Sequence, residues 1–161
     1  MKTTVGFALT GSFCTFDKAF AQMEALVRRG YEVLPILSYA AAEMDTRFFT
    51  AEAVKQRVEK ITGHAPLCTL QAVEPLGPKR VTDIFVVAPI TGNSLAKLAE
   101  GIYDTPPLLG VKSHLRAERP VVLAISTNDG LSSAAQNIGR LLNRKNYYFV
   151  PFAQDDPYKK P

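Results

Sequence analysis

The chain has 161 residues, a formal net charge of +4, 47% hydrophobic and 21% charged residues, the size and balance of one ordinary globular domain over residues 1–161. No apolar run approaches the roughly 20 residues that cross a bilayer, and no basic stripe or aromatic-interleaved basic run speaks for nucleic acid. Two cysteines, Cys14 and Cys68, lack metal-ligand spacing and, with a start that leads directly into a strand instead of a signal peptide, fit a reducing cytoplasm.

Thr4–Leu9 is a short β-rich run that stops at Thr10-Gly11-Ser12. From Thr15 the period becomes helical: Phe16, Ala19, Phe20, Met23, Leu26 and Val27 share one face, Arg28 and Arg29 suit the last turn and Gly30 stops the helix. Glu32–Leu37 reads as the second strand, with Pro35 placing it at or near a sheet edge. Residues 38–49 show no regular period and read as a loop over the carboxyl edge of the sheet. Thr50 then caps a helix with Val54, Val58 and Ile61 inward, ended by Gly63. Residues 67–73 read as a short strand, and Glu74-Pro75-Leu76-Gly77-Pro78-Lys79 as a turn.

The stretch 86–104 organises the rest. A β-branched run ends at Ala88-Pro89, a polar turn Ile90-Thr91-Gly92-Asn93-Ser94 follows, and a helix capped by Asn93 or Ser94 carries Leu95, Leu98, Ala99 and Ile102 on one face. Thr105-Pro106 starts a further helix to about residue 116. Residues 120–125 form the fourth strand, Ser132 or Ser133 caps a helix holding Ile138, Leu141 and Leu142, and 147–152 form the fifth strand. Strands alternating with helices predict an α/β fold: a three-layer, doubly wound, mostly parallel Rossmann-like sheet of about five or six strands. The sequence stops at Pro161, leaving strand five without its usual covering helix, either cut away or replaced by a neighbouring protomer. Asp155-Asp156 and Lys159-Lys160 read as a polar tail.

Three strand ends carry small polar residues: Thr10-Gly11-Ser12, Thr91-Gly92-Asn93-Ser94 and Ser126-Thr127-Asn128. All fall on the carboxyl edge, where open α/β sheets bind ligands. Glycines admit a close backbone approach, while hydroxyls and helix amides donate to anions. With no GxGxxG and no GxxxxGK[ST] in the chain, this is neither a dinucleotide fingerprint nor a P-loop. Helix capping alone would explain each turn singly; three at one edge favour a cofactor.

The run Ala88-Pro89-Ile90-Thr91-Gly92-Asn93-Ser94-Leu95-Ala96-Lys97-Leu98-Ala99 resembles the PASANT signature of the FMN-binding flavoprotein family, which includes cysteine decarboxylases and flavin prenyltransferases. Gly11-Ser12-Phe13-Cys14-Thr15, Glu74-Pro75-Leu76-Gly77-Pro78-Lys79, residues 120–129 and residues 151–157 narrow the likeness to a branch found in spore-forming bacteria. There the flavoprotein-like chain works beside a second component that uses NAD or NADP, converting a cyclic dihydro- or hydroxytetrahydropyridine dicarboxylate to its aromatic product. The resemblance implies FMN, with Gly11, Ser12 and Ser38 at its phosphate or ribityl chain. Pro89, Thr91, Gly92, Asn93 and Ser94 would line the flavin, and Ser126, Thr127 and Asn128 would face it from the next turn. It further implies a homo-oligomer, a trimer or a multiple of trimers, with the flavin between protomers, in the mother-cell cytoplasm.

Two departures from the signature matter. The decarboxylases place an active-site histidine before the anchor strand; here Glu74 stands near that position and His64 lies some ten residues earlier, which argues against decarboxylase chemistry. Gly92 stands where the motif has a larger residue, leaving less bulk against the ring. Among other candidates, Glu74 is a conceivable base, and Arg47 and Lys79 are conceivable clamps for a substrate carboxylate; solvent exposure and surface ion pairs are the plainer readings of all three. Cys14 is read as a small buried residue, and His64 and His114 have no partner at a recognisable spacing. No metal site is expected.

Overall fold

A computed structural model describes residues 2–153 and 158; the tail Asp155-Asp156 and Lys159-Lys160 lies outside them. Five parallel strands run in the order β2-β1-β3-β4-β5: β1 Thr4–Leu9, β2 Glu32–Leu37, β3 Ile84–Thr91, β4 Val121–Ser126 and β5 Tyr147–Phe149. Seven helices flank them among the described residues: α1 Phe16–Arg28, α2 Tyr39–Glu43, α3 Ala51–Thr62, α4 Leu70–Val73, α5 Gly92–Glu100, α6 Pro106–Arg116 and α7 Ser133–Leu142. The strand–helix alternation thus gives the expected doubly wound architecture, with the direction of winding reversing between β1 and β3. None of the helices is long and apolar enough to cross a membrane.

Alternating strand residues feed two apolar layers. One face of the sheet, including Ala8, Ile36, Phe85, Val87 and Leu123, packs against α5, α6 and α7 through Leu95, Leu98, Leu108, Val111, Ile138 and Leu141. The opposite face, through Phe7, Leu9, Val33 and Leu37, meets Phe16, Phe20 and Met23 of α1 and Val54 and Val58 of α3. That second layer thins toward β5. Val86, Ala88 and Ala124 share an open groove of about 320 Å3 with Gln22, Leu26 and Arg29 of α1 and with Val150.

The Phe85 ring lies against Gly6 of β1 and Gly110 of α6. A Cβ at Gly6 would come within 2.8 Å of its Cδ2, and one at Gly110 within 2.5 Å of its Cζ. The His114 ring lies 5.7 Å away, centroid to centroid. These two glycines are therefore required by close approach rather than by backbone angles.

Several local expectations differ from the structure. Residues 67–73 are not a strand. Leu67 alone pairs with the outer edge of β2, its N–H donating to Pro35 O (2.9 Å) and its carbonyl accepting from Leu37 N–H (3.0 Å). Thr69 then caps α4, accepting from Ala72 N–H. The lone bridge also shows why Pro35 is tolerated: its missing N–H falls on the outer rim. Ser38, with three alanines behind it, caps α2 inside the stretch read as loop. The anchor strand continues through Pro89 to Thr91, and Thr91, not Asn93 or Ser94, is the cap of α5, accepting from Ser94 N–H at 3.1 Å. Ile102 lies past the Gly101 stop and is exposed, as is Leu142 on α7. Thr105 occupies the cap position of α6, but its buried hydroxyl has no partner. Neither Ser132 nor Ser133 caps α7 through its side chain. Strand five spans three residues, fewer than the six expected at 147–152.

The amino edge is held by a compact polar knot. His114 is fully buried; its Nε2 bonds Pro120 O and its Nδ1 bonds Thr82 Oγ1, both at 3.0 Å. A carbonyl only accepts, so Nε2 carries the proton and Nδ1 accepts from the Thr82 hydroxyl. Arg119 donates to the carbonyls of Arg80 and Thr82 and to Asp83 Oδ1. Burial is the main cause holding the His114 pKa below its ordinary value. The unfolded imidazole takes up a proton near pH 6.5 whereas the buried ring resists it, so the native state loses stability as pH falls below that value. Urea midpoints measured between pH 7.5 and pH 5.5 are expected to fall more steeply for the wild type than for His114→Gln; parallel slopes would count against this origin.

Candidate cofactor site

All three polar crests lie on the same carboxyl edge, and the sheet order brings β1, β3 and β4 side by side. Thr10 joins the first two. Its buried hydroxyl donates to Pro89 O and accepts from Thr91 N–H, each at 2.9 Å, and its own N–H donates to Pro89 O at 3.2 Å. The β3–β4 register shifts between Val87 and Ile90, the segment that contains Pro89. Proline offers no ladder donor, and on the β1 side of the same segment the Thr10 side chain bonds Pro89 O and Thr91 N–H. Beyond it, Ser12 reaches over the end of β3 to Ser126, their hydroxyl oxygens 2.7 Å apart. The loops after β1, β3 and β4 are thereby locked together.

Ser38 is also buried, at the end of β2: its N–H donates to Leu9 O and its Oγ caps α2. Gly11 sits against Ala40, where a Cβ would come within 3.3 Å of the alanine methyl. Pro89 is buried beneath the crests, while Asn93 and Asn128 are exposed above them. Gly92 lacks a side chain for a specific reason: a Cβ would stand 3.0 Å from Thr127 Oγ1 and 3.6 Å from Asp129 Oδ1. The glycine lets the α5 start and the β4 loop approach each other. Between them opens a cavity of about 440 Å3 lined by Asn93, Ala96, Thr127, Asp129, Ser133 and Asn137, among others.

Asp129 and Asn137 have no place in the sequence-based candidate set. Thr127 Oγ1 donates to Asp129 Oδ1 at 2.5 Å, and the Ser133 hydroxyl donates to Oδ2. These bonds, that from Ser133 foremost, hold the carboxyl below its ordinary pKa and keep it ionised. The spacing Thr127-x-Asp129-x-x-x-Ser133 is the local signal that could have pointed to it.

The weaker candidates separate. Arg47 lies in the loop following α2 with its guanidinium carbon 4.8 Å from the Phe48 ring centroid, on the β2 flank of the carboxyl edge. Glu74 and Lys79 lie elsewhere. The Glu74 carbonyl accepts from Ser113 Oγ near the end of α6, and Val81, two residues on from Lys79, bonds back to Leu76. This stretch leads into Asp83, whose N–H meets the Thr4 carbonyl at the start of β1. Both side chains are thus exposed at the amino edge, opposite the crests, which removes them from the site formed by a single chain. Cys14, expected to be buried, is exposed, its Sγ 4.0 Å from Ser12 Oγ. His64, for which no partner was expected, pairs with Glu32 at the beginning of β2.

A doubly wound sheet with three hydroxyl-rich crests at its switch point defines a nucleotide-type or flavin-type binding fold, and comparison with known proteins makes the class specific. The flavoprotein family profile matches residues 1–157, and the chain belongs to the flavoprotein family. It is 45% identical over 157 residues to the B subunit of dipicolinate synthase from Bacillus subtilis (strain 168), covering 98% of this chain and 78% of that protein. The crystal structure of the dipicolinate synthase B subunit from Bacillus halodurans superposes with a TM-score of 0.87 at 42% identity, covering 98% of this chain and 83% of that one. The FMN-dependent cysteine decarboxylase SpaF superposes with a TM-score of 0.69 at 26% identity, over 92% of this chain and 83% of the other.

Replacing Thr10 with valine keeps the shape but leaves the half-buried Thr91 N–H without its partner. The expected cost is about 1–3 kcal/mol, read as a lower urea midpoint, with Thr10→Ser close to wild type. Equal midpoints for valine and serine would show that the hydroxyl does not join the strands.

Proposed function

We propose that this chain is the flavoprotein-like component of a dipicolinate synthase, binding FMN at the carboxyl edge of its sheet and acting with the nicotinamide-dependent component of that enzyme. The observation that carries the reading is the convergence of the Gly11-Ser12, Thr91-Gly92-Asn93-Ser94 and Ser126-Thr127-Asn128 crests, locked by the Ser12–Ser126 contact beside a polar cavity. The likeness to the B subunits of two Bacillus species supports the assignment.

The residues present suit the cofactor. Gly11 and Ser12 leave the backbone accessible after β1 for the phosphate or ribityl chain, with Ser38 beside them. Thr91 holds the first turn of α5 in place, leaving Gly92 and Asn93 at its open end. Ser126, Thr127 and Asn128 close the opposite wall, and Pro89 forms part of the floor. FMN would supply a hydride acceptor next to a dihydropyridine dicarboxylate, whose aromatisation requires loss of one hydride and one proton. The chain's own contribution is orientation: it fixes a planar ring against a wall of hydroxyls and amides. Arg47, on the flank of the same edge, is the clamp for a substrate carboxylate. A homo-oligomer in trimers would complete the site from a second copy.

A second reading, a substrate-holding or stabilising partner of the nicotinamide-dependent component without redox chemistry, is favoured by one observation. Among the described residues no cation and no histidine lines the cavity, and its one carboxylate, Asp129, is held ionised and is a poor base.

Two measurements separate these readings. Purified protein is expected to quench FMN fluorescence on titration. Asn93→Asp, which sets a second carboxylate beside Asp129, is expected to weaken that binding by roughly tenfold; an unchanged affinity would remove Asn93 from the flavin site. Dipicolinate formation from the lysine-pathway precursor is expected to be faster with the nicotinamide-dependent component and this chain mixed than with either alone. A full rate with the nicotinamide-dependent component alone, with no FMN uptake by this chain, would leave only the stabilising role.

A further inference from the structure

The loop between α2 and α3, residues 44–50, is held by its own short side chains. Asp45 Oδ1 accepts from Ala51 N–H at 2.8 Å and Thr50 Oγ1 accepts from Ala53 N–H at 3.1 Å, so both satisfy the first turn of α3. The Thr46 hydroxyl donates to Phe49 O at 3.1 Å and accepts from the N–H groups of Phe48 and Phe49, each at 3.2 Å, while Thr46 N–H donates to Phe49 O at 2.8 Å. Phe49 turns inward, its ring centroid 6.0 Å from that of Phe16 and 5.7 Å from that of Phe20. The loop is thereby fastened to α1 where that helix leaves the β1 crest, and Ala40 of α2 lies against Gly11 of the same crest.

From this fixed frame Arg47 and Phe48 project outward. Phe48 is 46% exposed, and the Arg47 guanidinium carbon stands 4.8 Å over the centroid of its ring. A free arginine loses rotamer freedom when it grips a ligand. A guanidinium laid on an aromatic face has lost much of it beforehand, while its N–H groups, which lie in its own plane, still point past the edge of the ring. Among the described residues Arg47 makes no ion pair, so those donors are available to a carboxylate.

We propose that Phe48 is a positioning residue for substrate binding: its ring holds the Arg47 guanidinium as a preformed planar fork for one carboxylate of a pyridine dicarboxylate, at the rim of the carboxyl edge. Phe48 acts through Arg47 and has no need to touch the ligand. The inference rests on the reading of Arg47 as the substrate clamp and deepens it.

Dipicolinate is the probe, titrated into the purified chain with FMN added and followed by calorimetry. Arg47→Met is expected to weaken binding by roughly tenfold or more. Phe48→Leu, which keeps the bulk and removes the aromatic face, is expected to weaken it about two- to fivefold, with Phe48→Tyr at the wild-type affinity. In an Arg47→Met background Phe48→Leu is expected to cause no further loss; a general loosening of the loop would weaken both backgrounds alike. Phe48→Leu binding as tightly as the wild type, or weakening both backgrounds equally, overturns the proposal and leaves the clamp standing. Unchanged affinity in Arg47→Met removes clamp and proposal together, and if that variant instead loses its association with the nicotinamide-dependent component, the loop is a protein-docking surface. The wild type gives a reading free of any folding defect: the Arg47 Nε–H NMR signal is expected to move with dipicolinate and to stay still with inorganic phosphate. The reverse pattern overturns the proposal. Wild-type protein that does not bind dipicolinate removes the substrate reading along with it.

Discussion

The threonine hydroxyl at position 10 is the interaction on which the site depends. Parallel strands normally hold each other through regular N–H to carbonyl bonds, and at Pro89 the third strand has no N–H to offer. On the other side of that strand, facing β1, Thr10 holds it with one donated and one accepted bond. Directly beyond it the chain turns toward Ser126, and the α5 helix begins shortly past the bridged proline. The loops after β1 and β3 leave their strands within reach of that side chain, and the Ser12–Ser126 contact ties the third crest to them.

The two ends of the sheet have different roles. At the carboxyl edge, short hydroxyl and amide side chains bond mainly to one another and to helix starts, leaving a polar-lined cavity between α5 and α7. At the amino edge, longer groups are consumed in structure: Arg119 on three acceptors, His114 between Thr82 and Pro120, and Asp83 against the Thr4 amide. Glu74 and Lys79 belong to this second end, and their chemistry serves its surface. Ionisable groups outnumber the useful ones in this chain, and topology decides which of them can meet a ligand.

Much of the architecture was legible because it rests on periodicity. The helical spacing of Phe16, Phe20 and Met23 and the β-branched run into Pro89 each have one reasonable interpretation. Short elements were harder. The four residues of α4 contain too few turns for a period to show, and only the Thr69 cap marks its start. In the candidate site, the glycines, serines and two asparagines were visible at strand ends, whereas Asp129 and Asn137 were not. Their significance comes from a cavity formed by two helices more than thirty residues apart in the chain, and no local pattern encodes that. Gly92 was noticed for its lack of bulk, but the group that needs the room is Thr127, across the cavity wall.

The packing about Phe85 has an evolutionary consequence. Its ring touches the backbone of a strand on one side and of a helix on the other, at two glycines that lie 104 positions apart in the chain, Gly6 and Gly110. None of the three can drift alone: a methyl at either glycine collides with the ring, and a smaller residue at 85 leaves a hole. Descendants that shrink position 85 gain licence for alanine at Gly110, while at Gly6 the Thr82 methyl, 3.2 Å from such a Cβ, must also give way, so these sites should covary across the lineage, recording a contact that no stretch of neighbouring residues would disclose.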